Sequence, residues 1–192
     1  MSMLEIEQQF PFSIDQLPAI QALFPLSSIK TLDETYFDTP NFSLLKNDTW
    51  LRQRNGAYEL KYRKPENRGQ QLEIYDEFYE INSIKQFLHV PEELELGQWI
   101  ENNLQSTIKI KTTRHTFKSA PFTIDIDLTD FGYSVCEIEY AGEKSPEEAQ
   151  AEIIQLAQKM GLENTRVRNK GKAYIEIKYP ELVNQLEELG VL

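Results

Sequence analysis

Thr49-Trp50-Leu51-Arg52-Gln53-Arg54-Asn55-Gly56-Ala57-Tyr58-Glu59-Leu60-Lys61-Tyr62-Arg63-Lys64 is the stretch whose reading decides the fold. Two alternating runs flank Asn55-Gly56, and a type I′ turn needs two residues tolerant of positive φ, so a β-hairpin is predicted. Each arm carries like charges two residues apart, Arg52 with Arg54 and Lys61 with Arg63. Strand side chains alternate faces, which puts each pair on one face about 6.7 Å apart. At an effective dielectric of about 20 such a pair repels by roughly 2 to 2.5 kcal/mol. A ligand, a counter-charge or water must relieve that repulsion.

The same spacing recurs away from the hairpin, in Glu5 and Glu7, Lys109 and Lys111, Asp125 and Asp127, and Glu137 and Glu139. A solvated sheet face ordinarily mixes signs, because opposite charges across strands gain about 0.2 to 1 kcal/mol. Here each strand keeps to one sign. The alternates between the charges are apolar: Leu4 and Ile6, Tyr58 and Leu60, Ile124, Ile126 and Leu128, Cys136 and Ile138. If helices cover that apolar side of a closed sheet, the charged side lines the lumen.

Further elements follow from periodicity and stop signals. Strands are predicted over Leu4 to Phe10, Ile29 to Asp38, Gln71 to Glu80, Ile108 to Lys118, Phe122 to Leu128, Tyr133 to Tyr140 and Ala173 to Tyr179. Asp130-Phe131-Gly132 spells a kinase tripeptide but, without the other kinase motifs, reads as a hairpin turn. Helices are predicted from Asp15, as cap, to Phe24; in two pieces between Ile84 and Leu104, broken at Pro91; from Ser145 to Met160; and from Pro180 to Leu189. Antiparallel connections with peripheral helices give an α+β fold of eight or so strands, centred on a barrel or a strongly curved sheet, in a single domain spanning residues 1–192.

The formal net charge of −11 argues against a nucleic-acid or anionic-membrane surface. A lone cysteine, Cys136, rules out an intrachain disulfide and fits a buried core position in a reducing compartment. No run is long enough to span a bilayer as a helix. A cytoplasmic monomer is expected.

The charged inventory points to chemistry. Carboxylates that cannot neutralise one another suit a hard divalent cation, and Mg²⁺ takes one or two carboxylates plus waters and substrate phosphates. Arginine forks and lysine point charges suit those phosphates. There is no Walker loop or GxGxxG, and His89 and His115 are too few for a zinc site or a triad. Together the charges predict a polyphosphate bound with metal, on which positioning and charge neutralisation suffice for phosphoryl transfer.

Leu4-Glu5-Ile6-Glu7-Gln8-Gln9-Phe10 resembles the ExExK strand of the CYTH, or triphosphate tunnel metalloenzyme, superfamily. Tyr36-Phe37-Asp38-Thr39-Pro40, Trp50-Leu51-Arg52-Gln53-Arg54 with Glu59-Leu60-Lys61, and Asp125-Ile126-Asp127 through Gly132-Tyr133 to Glu137-Ile138-Glu139 are similar to its thiamine-triphosphatase branch. The resemblance implies an eight-stranded antiparallel β-barrel whose lumen holds a triphosphate and Mg²⁺, with Mn²⁺ as a substitute, and a phosphohydrolase activity. It implies Arg52, Arg54, Lys61, Arg114 and Lys172 as phosphate ligands. Glu5, Glu7, Asp125, Glu137 and Glu139 are implied on the metal side, supported by Asp127. Trp50 would meet the thiamine moiety, where a thiazolium cation gains from an indole face. Gln9 stands where the motif usually has lysine, keeping hydrogen bonding but not the charge. Arg63, Lys109 and Lys111 receive no role and are expected on exposed edges.

Overall fold

The computed structural model describes residues 4–68, 75–165 and 167–192, and the side chains of Leu4 and Glu5 lie outside that description. So do residues 71–74 of the strand expected over Gln71 to Glu80. Among the described residues the architecture is α+β, as the sequence implies. Eight strands form one sheet: β1 (Leu4–Pro11), β2 (Leu26–Asp38), β3 (Thr49–Arg54), β4 (Ala57–Tyr62), β5 (Asp76–Phe78), β6 (Gln105–Ser119), β7 (Phe122–Thr129) and β8 (Ser134–Gly142). Their order is β1-β8-β7-β6-β2-β3-β4-β5, and every pairing with a described register is antiparallel. The helices are α1 (Leu17–Leu23), α2 (Ser43–Lys46), α3 (Ile81–Phe87), α4 (Leu96–Asn103), α5 (Pro146–Lys159), α6 (Lys170–Lys178) and α7 (Pro180–Glu188). None of the described helices is long and apolar enough to cross a membrane.

Contacts divide the chain into two units, Met1–Leu32 with Lys111–Ala173, and Asp33–Ile110 with Tyr174–Leu192. In the first, Ile124, Ile126, Cys136, Ile138 and Phe10 occupy alternate strand positions and are essentially inaccessible. Ala149, Ile153 and Ala157 of α5 recur at helical spacing and close over them. The helix starts at a capping box: the Glu148 amide donates to Ser145 Oγ and the Ser145 amide to Glu148 Oε2. Gly161, at φ 72°, takes the left-handed turn after it. Truncating Ile138 to alanine would leave a cavity worth about 2 to 5 kcal/mol.

In the second unit Leu51 and Leu60 face Ile84, Leu96 and Ile100 of α3 and α4. Asn55 and Gly56 adopt φ of 48° and 89°, the pair of positive angles the hairpin reading required. α5 in the first unit, and α3 and α4 in the second, lie on the apolar side of the strands, and the doubled charges of β3, β7 and β8 take the opposite pleat.

Three expectations are corrected. Residues 173–178 of the strand expected over Ala173 to Tyr179 are helical within α6, although Ala173-Tyr174-Ile175-Glu176-Ile177-Lys178 alternates like a strand. Asn169 decides it, accepting the Lys172 amide at Oδ1 (3.0 Å) in the manner of a helix cap. Ahead of α1, a 3-10 turn, Ile14–Gln16, contains Asp15 and is capped at Ser13, with Gln16 Oε1 accepting the Ser13 amide at 2.8 Å. Finally, Arg63 is 1% exposed, not on an open edge.

Candidate functional site

In the second unit, register lines up charges across β2 to β5: Glu34 opposite Arg54, Tyr36 opposite Arg52, Arg52 opposite Glu59, Trp50 opposite Lys61, and Lys61 opposite Glu77. Glu34 has no exposed surface. Its Oε1 accepts from Arg54 Nε (3.1 Å) and Nη2 (2.8 Å), and from Arg52 Nη1 (3.1 Å). Arg52 also donates to Glu59 Oε2 through Nε (2.8 Å) and Nη2 (2.5 Å), and to the Tyr36 hydroxyl (3.2 Å). Burial disfavours the Arg52 charge, but Tyr36, Glu34 and Glu59 outweigh it and hold the guanidinium protonated above its usual range. Lys61 Nζ meets Glu77 Oε1 at 2.5 Å, and Glu77 also accepts from the Tyr79 hydroxyl. Against the opposing effect of burial, those bonds lower the Glu77 pKa.

Trp50 is buried, its indole Nε1 donating to Asp48 Oδ1 at 2.8 Å. It meets Tyr36 edge-on, with ring centroids 6.1 Å apart and planes 83° apart. The two rings line a small, open recess with Asp38, Thr49 and Thr107 among its other walls. Burial raises the Asp38 pKa despite amide hydrogen bonds from Leu45, Leu44 and Thr39.

In the first unit, Arg114 grips Asp127 with a two-pronged fork, Nε to Oδ1 at 2.7 Å and Nη2 to Oδ2 at 2.8 Å, and reaches Asp125 Oδ2 through Nη1 at 2.8 Å. Thr116 donates to the other Asp125 oxygen at 2.5 Å. Lys170 lies 2.9 Å from Asp127 Oδ2 and donates to Thr112 Oγ1 at 3.3 Å. Burial works against ionised Asp127, yet Arg114 and Lys170 outweigh it and lower its pKa. Gln9 Nε2 donates to Glu137 Oε2 at 2.8 Å. Register sets Glu137 opposite both Gln9 and Asp125, and Glu7 opposite Glu139. Among the described residues, no three of the His, Cys, Asp and Glu side chains converge as a metal-binding group.

The structure therefore gathers Arg52, Arg54, Lys61 and Trp50 on one face and Gln9, Arg114, Asp125, Asp127 and Glu137 on another. Lys172 is fully buried, and Lys170, two residues earlier, brings its ammonium to Asp127. Lys109 and Lys111 are exposed on the opposite pleat of β6 from Arg114. The signs are not segregated as the single-strand reading expected, because neighbouring strands supply the counter-charges. Sequence reasoning missed Glu34, Glu59, Glu77 and Lys170. The cue for Glu34 was parity: it lies two and four residues before Tyr36 and Asp38, within the strand predicted over Ile29 to Asp38.

Comparison with known proteins places this arrangement. The profile of the CYTH domain matches residues 3–171. Among solved structures, the PH1819 protein of Pyrococcus horikoshii OT3 is 18% identical, with a TM-score of 0.61 over 91% of this chain and 100% of that one. HpAC1 of Hippeastrum, described as having a dominant triphosphatase activity, is 16% identical, with a TM-score of 0.64 over 92% of this chain and 96% of that one. A Vibrio parahaemolyticus protein provisionally named an adenylate cyclase is 14% identical, with a TM-score of 0.56 over 90% and 98% respectively. At these identities the likeness is one of fold.

Proposed function

Because the chain belongs to the CYTH domain family, we propose that it is a Mg²⁺- or Mn²⁺-dependent hydrolase that cleaves the terminal phosphoanhydride of thiamine triphosphate or a closely related small triphosphate. The observation that carries this reading is the pair of guanidiniums, Arg52 and Arg54, fixed side by side on the buried Glu34 carboxylate. Two forks held at fixed separation match neighbouring phosphate groups better than a diffuse basic surface does. Lys61 extends this cationic set on its own face, and in the first unit Arg114 with Lys170 or Lys172 supplies a separate group of cations.

The residues present fit a hard cation. Glu7, Glu137 and Glu139 offer oxygen donors only, on paired strands, and Mg²⁺ needs no more than one or two of them beside waters and phosphate oxygens. One or two of Glu7, Glu137 and Glu139 would hold it, while Asp125 and Asp127 act one step removed, by orienting Arg114. When bound, the cation neutralises phosphate charge and polarises phosphoryl oxygens. The protein's own contribution is to align the triphosphate along the cationic side chains so that water attacks in line. Trp50 and Tyr36 supply an aromatic wall for the organic end.

A second reading, a triphosphate-binding module with little turnover, is favoured by Gln9. Its amide satisfies Glu137 where a lysine would place a charge. One experiment separates the readings: release of phosphate, diphosphate and cyclic nucleotide from thiamine triphosphate, inorganic tripolyphosphate and ATP, with Mg²⁺ and Mn²⁺. Orthophosphate from thiamine triphosphate above the other two supports the hydrolase. Tight binding without turnover favours the module, and cyclic nucleotide from ATP would replace both with a cyclase.

A further inference from the structure

Arg63 has no role in the scheme above, yet it is among the most buried side chains in the chain. Its Nε donates to Asp48 Oδ2, and its Nη2 donates to the carbonyls of Gly190 (2.7 Å) and Val191 (3.1 Å) in the turn after α7. Asp48 is equally buried and sits at φ 50°, its backbone oxygen accepting the Arg63 amide at 3.1 Å. The other oxygen of the Asp48 carboxylate accepts the Trp50 indole N–H. Val191 and Leu192 are themselves buried, which fixes the carbonyl end of this series.

A buried ion pair is a poor source of stability compared with apolar residues of the same volume. What this one supplies is orientation. A carboxylate locked by Arg63 presents fixed acceptor oxygens; Oδ1 takes the Trp50 indole N–H at 2.8 Å and the Tyr75 hydroxyl at 3.4 Å, and the shorter bond sets the plane in which Trp50 meets Tyr36 at the pocket. We propose that Asp48 and Arg63 are positioning residues that hold the Trp50 indole for the organic end of the substrate, and so set the preference for organic over inorganic triphosphates. The inference rests on the placement of Trp50 under the proposed function.

The test compares Asp48→Ala, Asp48→Asn and Arg63→Met with the parent protein. The primary readout is kcat/KM for thiamine triphosphate relative to inorganic tripolyphosphate. A second readout is hydrogen exchange at the Trp50 indole by NMR, distinguished from Trp99 with a Trp99→Phe variant. Loss of the fixed hydrogen bond should lower the ratio about tenfold in Asp48→Ala and Arg63→Met. Turnover of tripolyphosphate should stay within about twofold, as expected for groups that do not touch phosphate. The Trp50 indole should exchange faster, and Asp48→Asn, which keeps an acceptor oxygen, should recover most of the ratio. An unchanged ratio, or an equal fall for both substrates, overturns the inference while leaving the hydrolase reading intact. If the parent turns over neither substrate, the hydrolase reading fails, and the same ratio is taken from dissociation constants. Equal affinity of the parent for both compounds then overturns the inference. Should Arg63→Met not fold, Arg63→Lys, which keeps the charge but loses the fork to the two carbonyls, serves in its place under the same criteria.

Discussion

On the face built by β2 to β5, Arg52, Arg54 and Lys61 meet Glu34, Glu59 and Glu77, and every one of these charges has an ionic partner on that face. On the face built by β1, β8, β7 and β6, Arg114 and Lys170 are matched by Asp125 and Asp127. Glu7, Glu137 and Glu139 then add further negative charge. The contrast separates two binding problems. An anion arriving at the first face has to exchange with carboxylates already seated on the guanidiniums. A cation arriving at the second meets carboxylates on two paired strands, β1 and β8.

The largest expected effect comes from breaking the balance of the first face. Glu34→Gln strands two guanidiniums around a neutral amide in a buried position, at about 3 to 5 kcal/mol of stability. Chemical denaturation would read this as a lower midpoint. A change under 1 kcal/mol would mean that Arg52 and Arg54 find water or Glu59 instead, and that Glu34 is dispensable as an organiser. Next in size, Arg54→Ala should lower kcat/KM for the triphosphate by roughly 10²- to 10³-fold, the scale seen when one preorganised donor is removed. Glu137→Gln, on the acidic face, should instead raise the Mg²⁺ concentration needed for half-maximal rate. Identical behaviour of the two variants would abolish the distinction between the faces.

The distinction was only half legible in the sequence. Strand parity exposed the doubled charges, and Asn55-Gly56 fixed the hairpin, because both are local rules. The partners of those charges were not visible, since Glu34 and Arg54 are neighbours only through the β2–β3 register, and one residue of slip would separate them. Arg63 shows the same limit: as a member of an i, i+2 basic pair it reads as exposed, and only the packing of Gly190 and Val191 turns it inward. The α6 segment failed for a different reason. Six residues of alternation fit a strand and a short helix equally, and the Asn169 cap lies outside that window.

A smaller effect tests the acidic face by pH. Asp127 has its pKa lowered in the folded chain, so the group favours folding when ionised. Its contribution is fully present above the unfolded value near 4 and is lost as pH falls through the lower folded value. Asp127→Asn should therefore destabilise the protein by about 1.5 to 3 kcal/mol at neutral pH, from the loss of charge-assisted bonds. The melting curves of the two proteins should converge below about pH 4. A gap that persists into acid would assign the loss to packing rather than to charge. Smaller again, Gln9→Lys should raise turnover several-fold if the missing charge limits the reaction, because an ammonium beside Glu137 adds a phosphate-directed cation. An unchanged rate would leave the Gln9 amide sufficient, and would shift the question of low or altered activity to the substrate.

The smallest expected effect is at Lys109 and Lys111, which share the doubled-charge pattern but not its placement. Ile108, Ile110 and Thr112 are buried on one pleat of β6, the one that Arg114 continues, so the two lysines must point the other way. The Lys111 amide donates to Asp130 Oδ1 and survives any side-chain change. Replacing both lysines with alanine should alter stability by no more than about 0.5 kcal/mol, as at ordinary surface positions. It should leave kcat/KM for the triphosphate unchanged. A marked loss of activity would mean that spacing alone, without the correct pleat, marks a binding face. In that case the assignment of Arg52, Arg54 and Arg114 by parity would lose its basis.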